Sequence, residues 1–234
     1  MNKIIKTILV IFMHLQLSVA VYAQKDITQF LGLPIDGYKP EMIKKLKEKG
    51  FVTNPSDKEA LVGEFNGTKV NLYIATNNNK VYRIMISDAN MIDEGDVKIR
   101  FNNLLNQFHN NKKYISASLF DSSYTISEDE DISYEMKVNT KRYEAAFYQL
   151  PTKEIDSTIM KKEFSDYLLK KYTQEQISNP TEEIKNNIIK EGLSYMLDRF
   201  SKKVVWFMIS ELYGKYYITM FYDNEYNRSN GEDL

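Results

Sequence analysis

Apolar and polar residues alternate along two stretches in the first half of the chain, which is the pattern of β-strands with one buried face. The alternating apolar or aromatic positions are Val70, Leu72, Ile74, Tyr82, Ile84 and Ile86. Asn66-Gly67 precedes the first stretch, and three asparagines at 77–79 separate it from the second. Because both are turn-forming sequences, the pattern predicts a three-stranded antiparallel meander.

Helix signals stand on both sides of this meander. In residues 39–50, Pro40 lies near the expected start, lysines are concentrated late and Gly50 follows the expected end. After the meander, acidic residues from Asp93 onward predict the start of a second helix that ends near Asn110. The apolar residues that share one stripe of this second helix are Val97, Phe101, Leu104, Leu105 and Phe108.

The second half predicts one further hairpin followed by two helices. Apolar and polar positions alternate over residues 132–138 and again over 143–147, on either side of Asn139-Thr140-Lys141. This pattern is typical of an antiparallel hairpin. Helices are expected over 153–172 and, with a more regular apolar stripe, over 184–200.

The chain closes with two strands that are apolar on both faces. Residues 204–210 and 215–222 therefore predict a hairpin at the centre of a sheet rather than at its edge. Polar residues from Asp223 onward predict a loose tail.

Helices lie between antiparallel hairpins without strand–helix–strand repetition, so we predict an α+β fold of antiparallel meanders and hairpins packed against several amphipathic helices. The expected globular region is 24–224, followed by a polar tail over 225–234. A division into two sub-units, about 24–113 and 114–224, is the alternative.

The first residues have the three-part layout of a secretory signal peptide. Lys3 and Lys6 precede a largely apolar run over 8–19, and the segment ends in the small residue Ala23. A membrane helix needs roughly 20 apolar residues, so neither this run nor a later one is long enough to span a bilayer. The layout predicts that residues 1–23 are removed by cleavage after Ala23, which places the mature chain in the periplasm or outside the cell.

Composition excludes several chemistries. The chain contains no Cys, so a disulfide, a thiolate nucleophile, a thiolate metal site and a cysteine-linked lipid anchor are impossible. The formal net charge of -1 removes the electrostatic reason to expect a nucleic-acid partner. The sequence has no P-loop, dinucleotide-binding or serine-hydrolase motif, and we predict no cofactor.

Histidine chemistry is nearly excluded as well. The chain has two histidines, and His14 lies in the predicted signal peptide, which leaves His109 alone. A zinc site built from several histidines is therefore impossible in the mature chain. His109 falls at the expected end of the second helix, where a protonated imidazole interacts favourably with the helix dipole, and we favour this role over that of a catalytic base.

Four consecutive acidic residues, Glu128, Asp129, Glu130 and Asp131, form the densest charge cluster. Carboxylate oxygens are the ligands that Ca²⁺ prefers, which makes the cluster a candidate metal site. It lacks the alternating spacing and the glycine of an EF-hand loop, and a solvated acidic turn is the other interpretation. Carboxylates are also the basis of the enzymatic alternative, because a glycosidase needs just two suitably spaced Asp or Glu side chains.

Tyrosine is abundant, with 17 residues in the chain. Tyr213, Tyr216, Tyr217 and Tyr222 lie in the predicted final hairpin. Tyrosine rings suit protein interfaces and stack on sugars, so these four residues are the candidate ligand- or partner-binding positions. The alternative is that the rings fill the core of a sheet that is buried on both faces.

Five segments resemble a group of uncharacterised exported proteins of anaerobic Gram-negative gut bacteria. They are Phe30–Gly37, Leu46–Phe51, Asn79–Ile84, Ile99–Leu104 and Tyr216–Asn224. The resemblance covers most of the mature chain and implies an exported protein. The plan of a helix followed by a meander is also similar to that of the SmpA/OmlA outer-membrane assembly lipoproteins and of the β-lactamase-inhibitor protein fold, an analogy that concerns the fold and not the function.

These features together predict an exported, non-catalytic module that binds a protein or a glycan of the cell envelope, with neither a nucleic-acid partner nor an integral membrane segment in the mature chain. A carboxylate-dependent, glycosidase-like hydrolase and a Ca²⁺-dependent binding module are the alternatives.

Overall fold

The computed structural model describes residues 26–117, 125–150 and 157–228. The strands are β1 (Gln29–Phe30), β2 (Leu33–Pro34), β3 (Val52–Thr53), β4 (Ala60–Phe65), β5 (Thr68–Asn77), β6 (Lys80–Asp88), β7 (Tyr114–Ser116), β8 (Glu144–Gln149), β9 (Lys203–Leu212) and β10 (Lys215–Asn224). The helices are α1 (Lys39–Glu48), α2 (Glu94–Asn110), α3 (Ile132–Lys137), α4 (Ser157–Leu169), α5 (Gln174–Ser178) and α6 (Glu182–Ser201). The predicted α+β fold is confirmed.

Eight strands form one antiparallel sheet in the order β3-β4-β5-β6-β10-β9-β8-β7, and β1 and β2 pair separately. The predicted meander is β4, β5 and β6, with Asn66-Gly67 as its first turn. The final hairpin lies at the centre of the sheet, as predicted, because β10 pairs with β6 on one side and with β9 on the other. The final hairpin therefore connects the half of the sheet formed by β3 to β6 with the half formed by β8 and β7.

The main core lies on one face of the sheet, beneath α1 and α2. α1 packs against β5 and β6, whereas α2 packs against β7, β9 and β10. The apolar stripe predicted for α2 is buried and belongs to the same cluster as Leu72, Ile84 and Phe207 of the sheet. One continuous core therefore holds α2 against the central strands.

The predicted hairpin over 132–147 is wrong in its first half, because residues 132–137 form the short helix α3. The Asp131 carboxylate accepts a hydrogen bond from the backbone N–H of Tyr134 at 2.8 Å, and the Glu94 carboxylate accepts one from the N–H of Ile132 at 2.9 Å. These contacts satisfy N–H groups of the first helical turn and outweigh the alternating pattern. The second half is a strand, β8, which pairs with β7 and β9 instead.

The helix predicted over 184–200 is confirmed as α6, and the one over 153–172 is confirmed as α4 within the described residues. The loose tail predicted from Asp223 is wrong up to residue 228. Asp223 and Asn224 end β10 in buried positions, and the Asn227 side chain donates hydrogen bonds to the Val81 carbonyl at 2.8 Å and to the Asp36 carboxylate at 2.7 Å. Tertiary partners that are distant in sequence order this polar segment.

The predicted signal peptide, its cleavage site and the last six residues of the predicted polar tail lie outside the described residues. Within the described ranges, the structure contains no helix whose length and apolar character would carry it across a bilayer.

Candidate functional site

A cleft of about 870 Å³ opens between the second half of α2, the β1–β2 turn and the ends of β4 and β10. We call it the α2 cleft. Four aromatic residues line it, of which Phe65 and Tyr114 are half-buried and Phe108 and Tyr222 almost completely buried. Concave sites with apolar walls and a few polar groups are the usual form of a ligand-binding site, so this cleft is the candidate site.

Ring packing from the core fixes the aromatic wall of the α2 cleft. The Phe108 ring centroid lies 4.8 Å from that of Tyr114 in an edge contact and 4.7 Å from that of Phe147 in a stacked one. On the other side, the Phe30 ring packs against both Phe65 and Tyr222, at 5.1 Å in each case. These contacts hold the aromatic residues in place before any ligand arrives.

A buried amide lies beside the aromatic wall. The Gln149 carboxamide accepts a hydrogen bond from the Gln29 N–H at 2.7 Å and donates one to the Gln29 carbonyl at 3.0 Å. The backbone of an adjacent strand would form the same pair of hydrogen bonds with Gln29. It also donates to the Tyr114 hydroxyl at 3.2 Å. Burial raises the pKa of Tyr222, and the adjacent Tyr114 raises it further. The polar side chains at the base of the α2 cleft are therefore an amide and two phenols, of which Tyr222 is held in its neutral form.

Amides continue on the rim, where the Asn66 side chain donates a hydrogen bond to the Gln107 side chain at 2.6 Å. Among the described residues that line the α2 cleft, the charged ones are Glu64, Lys112 and Lys113, and all three are exposed. Glu64 is the one carboxylate in this lining, so the paired acids of a glycosidase are not brought together by the described residues there.

Leu31 stands on the rim in an unfavourable backbone conformation. The Leu31-Gly32 turn has φ values of +50° and +78°, nearly the same as the +52° and +73° of Asn66-Gly67. Asn tolerates this left-handed region, whereas Leu is strained there. The Leu31 side chain is nevertheless 40% exposed and lines the α2 cleft. Sequence reasoning missed this residue, although a leucine before glycine in a tight turn could have signalled it.

The four predicted tyrosines do not form one surface. Tyr216 and Tyr222 are buried in the core, so the core-filling interpretation applies to these two. Tyr217 is half-buried on the opposite face of β10, and Tyr213 is 93% exposed at the β9–β10 turn. Tyr222 alone among the four lines the α2 cleft.

The four predicted acidic ligands do not converge on one point, and two of the four carboxylates are engaged by protein groups. Glu130 accepts hydrogen bonds from the Lys141 ammonium and, at 2.6 Å, from the Tyr143 hydroxyl, while Asp131 caps α3. The Lys98 ammonium donates to the backbone carbonyls of Glu128 at 2.6 Å and of Glu130 at 3.0 Å, whereas Asp129 lies in an exposed turn. Within the described ranges, no three acidic or histidine side chains converge as metal ligands would. A lysine occupies the position beside the carbonyl groups of this turn.

Glu130 gives the acidic turn a pH-dependent contribution to stability. The hydrogen bond from Lys141, followed by that from Tyr143, lowers the pKa of Glu130 below its ordinary value of 4.5. Because the folded pKa is depressed, this contribution is present above about pH 4.5 and is lost as the pH falls through the folded pKa. We expect Glu130→Gln to lower the free energy of unfolding by about 0.5–1 kcal/mol at pH 7. Urea unfolding at pH 7 and pH 3 measures this, and a difference between the two proteins that is as large at pH 3 as at pH 7 would contradict the ion-pair explanation.

His109 lies in the last turn of α2, where the sequence places it. Its imidazole is exposed and contacts the Phe147 ring edge-on, with 5.3 Å between ring centroids. The imidazole therefore stands at the carboxyl end of the helix, where the dipole is negative.

Comparison with protein-family models, with curated proteins and with solved structures gives no match in any of the three.

Proposed function

We propose that this chain is a non-catalytic binding module of the cell envelope whose ligand is an uncharged carbohydrate held in the α2 cleft. The observation that carries this proposal is the composition of the cleft, which has an aromatic wall, neutral amides at its base and rim, and charged groups at exposed positions. The envelope location rests on the predicted signal peptide.

Sugars match this combination of groups. The C–H face of a pyranose ring packs on an aromatic ring, and its hydroxyl groups both donate and accept hydrogen bonds. Asn and Gln side chains also donate and accept, whereas Lys donates alone and a carboxylate accepts alone. An anionic or cationic ligand would favour a cleft with an opposite charge at its base, where Gln149 and Tyr222 are neutral instead.

Leu31 adds a second line of support. A bulky residue in the left-handed region costs roughly 1 kcal/mol, which Asn in the same kind of turn would largely avoid. Strained residues of this type are concentrated at binding sites, where function opposes stability. An exposed leucine on the rim supplies apolar contact area to a ligand.

Leu31→Asn is expected to stabilise the protein and to weaken sugar binding. The removal of strain should raise Tm by about 2–4 °C, because 1 kcal/mol corresponds to roughly that shift in a protein of this size. Loss of the leucine contact should lower the affinity for the bound sugar by about tenfold. The measurements are a neutral-glycan array followed by titration calorimetry on residues 24–234, with differential scanning calorimetry for Tm.

Tyr213→Asn is the matched control. Tyr213-Gly214 is a third turn of the same type, with φ values of +54° and +76°, and it lies about 25 Å from the α2 cleft along β10. Both substitutions should raise Tm, but just the one at Leu31 should change sugar affinity. Binding of no neutral glycan, or equal affinity in Leu31→Asn and wild type, would overturn the proposal.

Tyr213 itself favours a second candidate function, contact with an envelope protein. Its ring is 93% exposed and its backbone is strained, an arrangement that suits an anchor inserted into a pocket of a partner. A pull-down from solubilised envelope with wild type and Tyr213→Asn tests this. Recovery of the same proteins by both baits would argue against an anchor at this turn.

A further inference from the structure

The outer face of α2 carries an unusual row of amides next to the cleft. Asn103, Asn106, Gln107 and Asn110 are exposed, and each lies three or four residues from two of the others, so the four form one stripe of the helix. We call these four residues the amide stripe. None of the residues from Asn102 to Asn111 is acidic or basic apart from His109.

The amide stripe has no evident structural purpose. Of its side chains, those of Asn103, Asn106 and Asn110 make no hydrogen bond to another described residue, whereas Gln107 accepts one from Asn66. Asn102, outside the stripe, does have a structural role, because it bonds both the N–H and the carbonyl of Ile126.

Asparagine also weakens the helix on which it stands. Ala, Lys and Glu are better helix formers than Asn, and exposed positions of α1 carry Lys44, Lys45, Lys47 and Glu48 instead. Asn103 and Asn106, which are exposed and unpaired inside α2, therefore lower its stability without a compensating contact within the described residues, whereas Asn110 is the last residue of the helix.

The amide stripe continues the surface of the α2 cleft. Two shallower depressions follow the outer face of α2, one of about 680 Å³ and one of about 240 Å³. The larger shares Gln107, Asn111 and Lys112 with the α2 cleft, and the smaller shares Asn66, Leu104 and Gln107 with it. From Asn103 to Asn110 the stripe extends about 10 Å along the helix axis. A ligand longer than one sugar ring would therefore reach it from the cleft.

From this continuity we infer that the ligand is an extended chain of uncharged sugar residues, with one part in the α2 cleft and the following units along the amide stripe. This inference rests on the proposed function. Each amide offers donors and acceptors to the hydroxyl groups of a passing sugar. Because an exposed hydrogen bond exchanges partners with water, each contact is weak, and affinity accumulates with the number of units that reach the stripe.

The test is the dependence of affinity on chain length. Malto-, cello- and chito-oligosaccharides from mono- to hexasaccharide, together with fragments of any neutral glycan bound on the array, are titrated into residues 24–234 by calorimetry. We expect the affinity to rise by about tenfold or more between the shortest fragment that binds and the tetrasaccharide. In Asn103→Ala/Asn106→Ala/Asn110→Ala the shortest fragment should keep its affinity, and the gain with length should be lost.

Alanine is the better helix former, so this triple variant should fold with a raised Tm, which separates loss of binding from loss of structure. Asn186→Ala/Asn187→Ala, which removes exposed amides from α6, is the control and should keep the full gain with length. An affinity that stays constant with length, or a gain that survives in the triple variant, overturns the inference while the cleft still binds sugar. Binding of no neutral glycan at any length overturns both proposals.

Discussion

Asp223→Ala is expected to lower the free energy of unfolding by about 3–5 kcal/mol, because it leaves a half-buried guanidinium without its counter-charge. The Asp223 carboxylate is almost completely buried. It accepts two hydrogen bonds from Arg83, from Nε at 2.6 Å and from Nη2 at 2.7 Å, and a third from Trp206 Nε1 at 3.1 Å. The substitution removes all three acceptor contacts at once.

The Arg83 side chain cannot avoid this cost by losing its proton. The ordinary pKa of an arginine side chain is far above neutral, so the guanidinium stays charged even when Asp223 is removed. In the wild type, the hydrogen bonds to Asp223 raise the pKa of Arg83 further. The guanidinium lies over the Phe221 ring at 4.9 Å from the centroid, and the Phe221 and Trp206 rings stack at 3.9 Å. The ion pair therefore organises the sheet face opposite α1 and α2.

Urea unfolding followed by the fluorescence of Trp206, the only tryptophan in the chain, measures the effect. Arg83→Leu/Asp223→Leu is the matched control, because it removes both charges and leaves neither one unpaired. We expect the loss of unfolding free energy in this double variant to be smaller than the sum of the losses in Arg83→Leu and Asp223→Leu measured separately. A cost below 1 kcal/mol for Asp223→Ala would show that water solvates Arg83 and that the pair contributes little.

Phe207→Ala is expected to cost about 3–5 kcal/mol through the cavity that it leaves in the main core. Phe207 is fully buried on a central strand. Its ring centroid lies 5.1 Å from that of Phe101, 5.7 Å from that of Phe108 and 6.2 Å from that of Phe147. These neighbouring rings belong to α2 and β8, whose backbones are fixed by helix and sheet hydrogen bonds, so the rings cannot move far enough to fill the cavity completely.

Two variants make the cavity explanation testable by the same urea measurement. Phe207→Leu keeps most of the volume and should cost clearly less than the alanine variant. Met208 lies half-buried on the other face of the same strand, and Met208→Ala should lower the free energy of unfolding by about 1 kcal/mol. If Phe207→Ala and Met208→Ala lower the free energy of unfolding equally, the loss comes from a general weakening of β9 and not from a cavity in the ring cluster.

Much of the fold was predictable because its signals are local. The buried stripe of α2 follows from residues three or four positions apart, and the meander follows from alternation interrupted by Asn66-Gly67. The central place of the final hairpin follows from residues that are apolar on both faces. In each case the residues that give the signal lie in the element that forms.

Prediction failed where partners distant in sequence decide the outcome. Residues 132–138 alternate like a strand, although Ile132 and Met136 are also four residues apart and Asp131 is a local N-cap. These local signals are ambiguous, and Glu94, 38 positions before Ile132, favours the helix by accepting the hydrogen bond from the Ile132 N–H. Asp223 belongs to a polar stretch that suggests a tail, yet Arg83, 140 positions earlier, makes it part of the sheet. Such partners leave no periodic trace in the sequence.

The sequence by itself determined the α+β class, the central hairpin and the absence of cysteine and multi-histidine chemistry, because composition and short-range periodicity are properties of contiguous residues. Only the tertiary structure decided the candidate site. Leu31, Gln107, Gln149 and Tyr222 come from four separate parts of the chain and meet because β10 pairs beside β6 while α2 lies across β9 and β10. Sheet pairing and helix packing bring such residues together over long sequence distances, which no local pattern records.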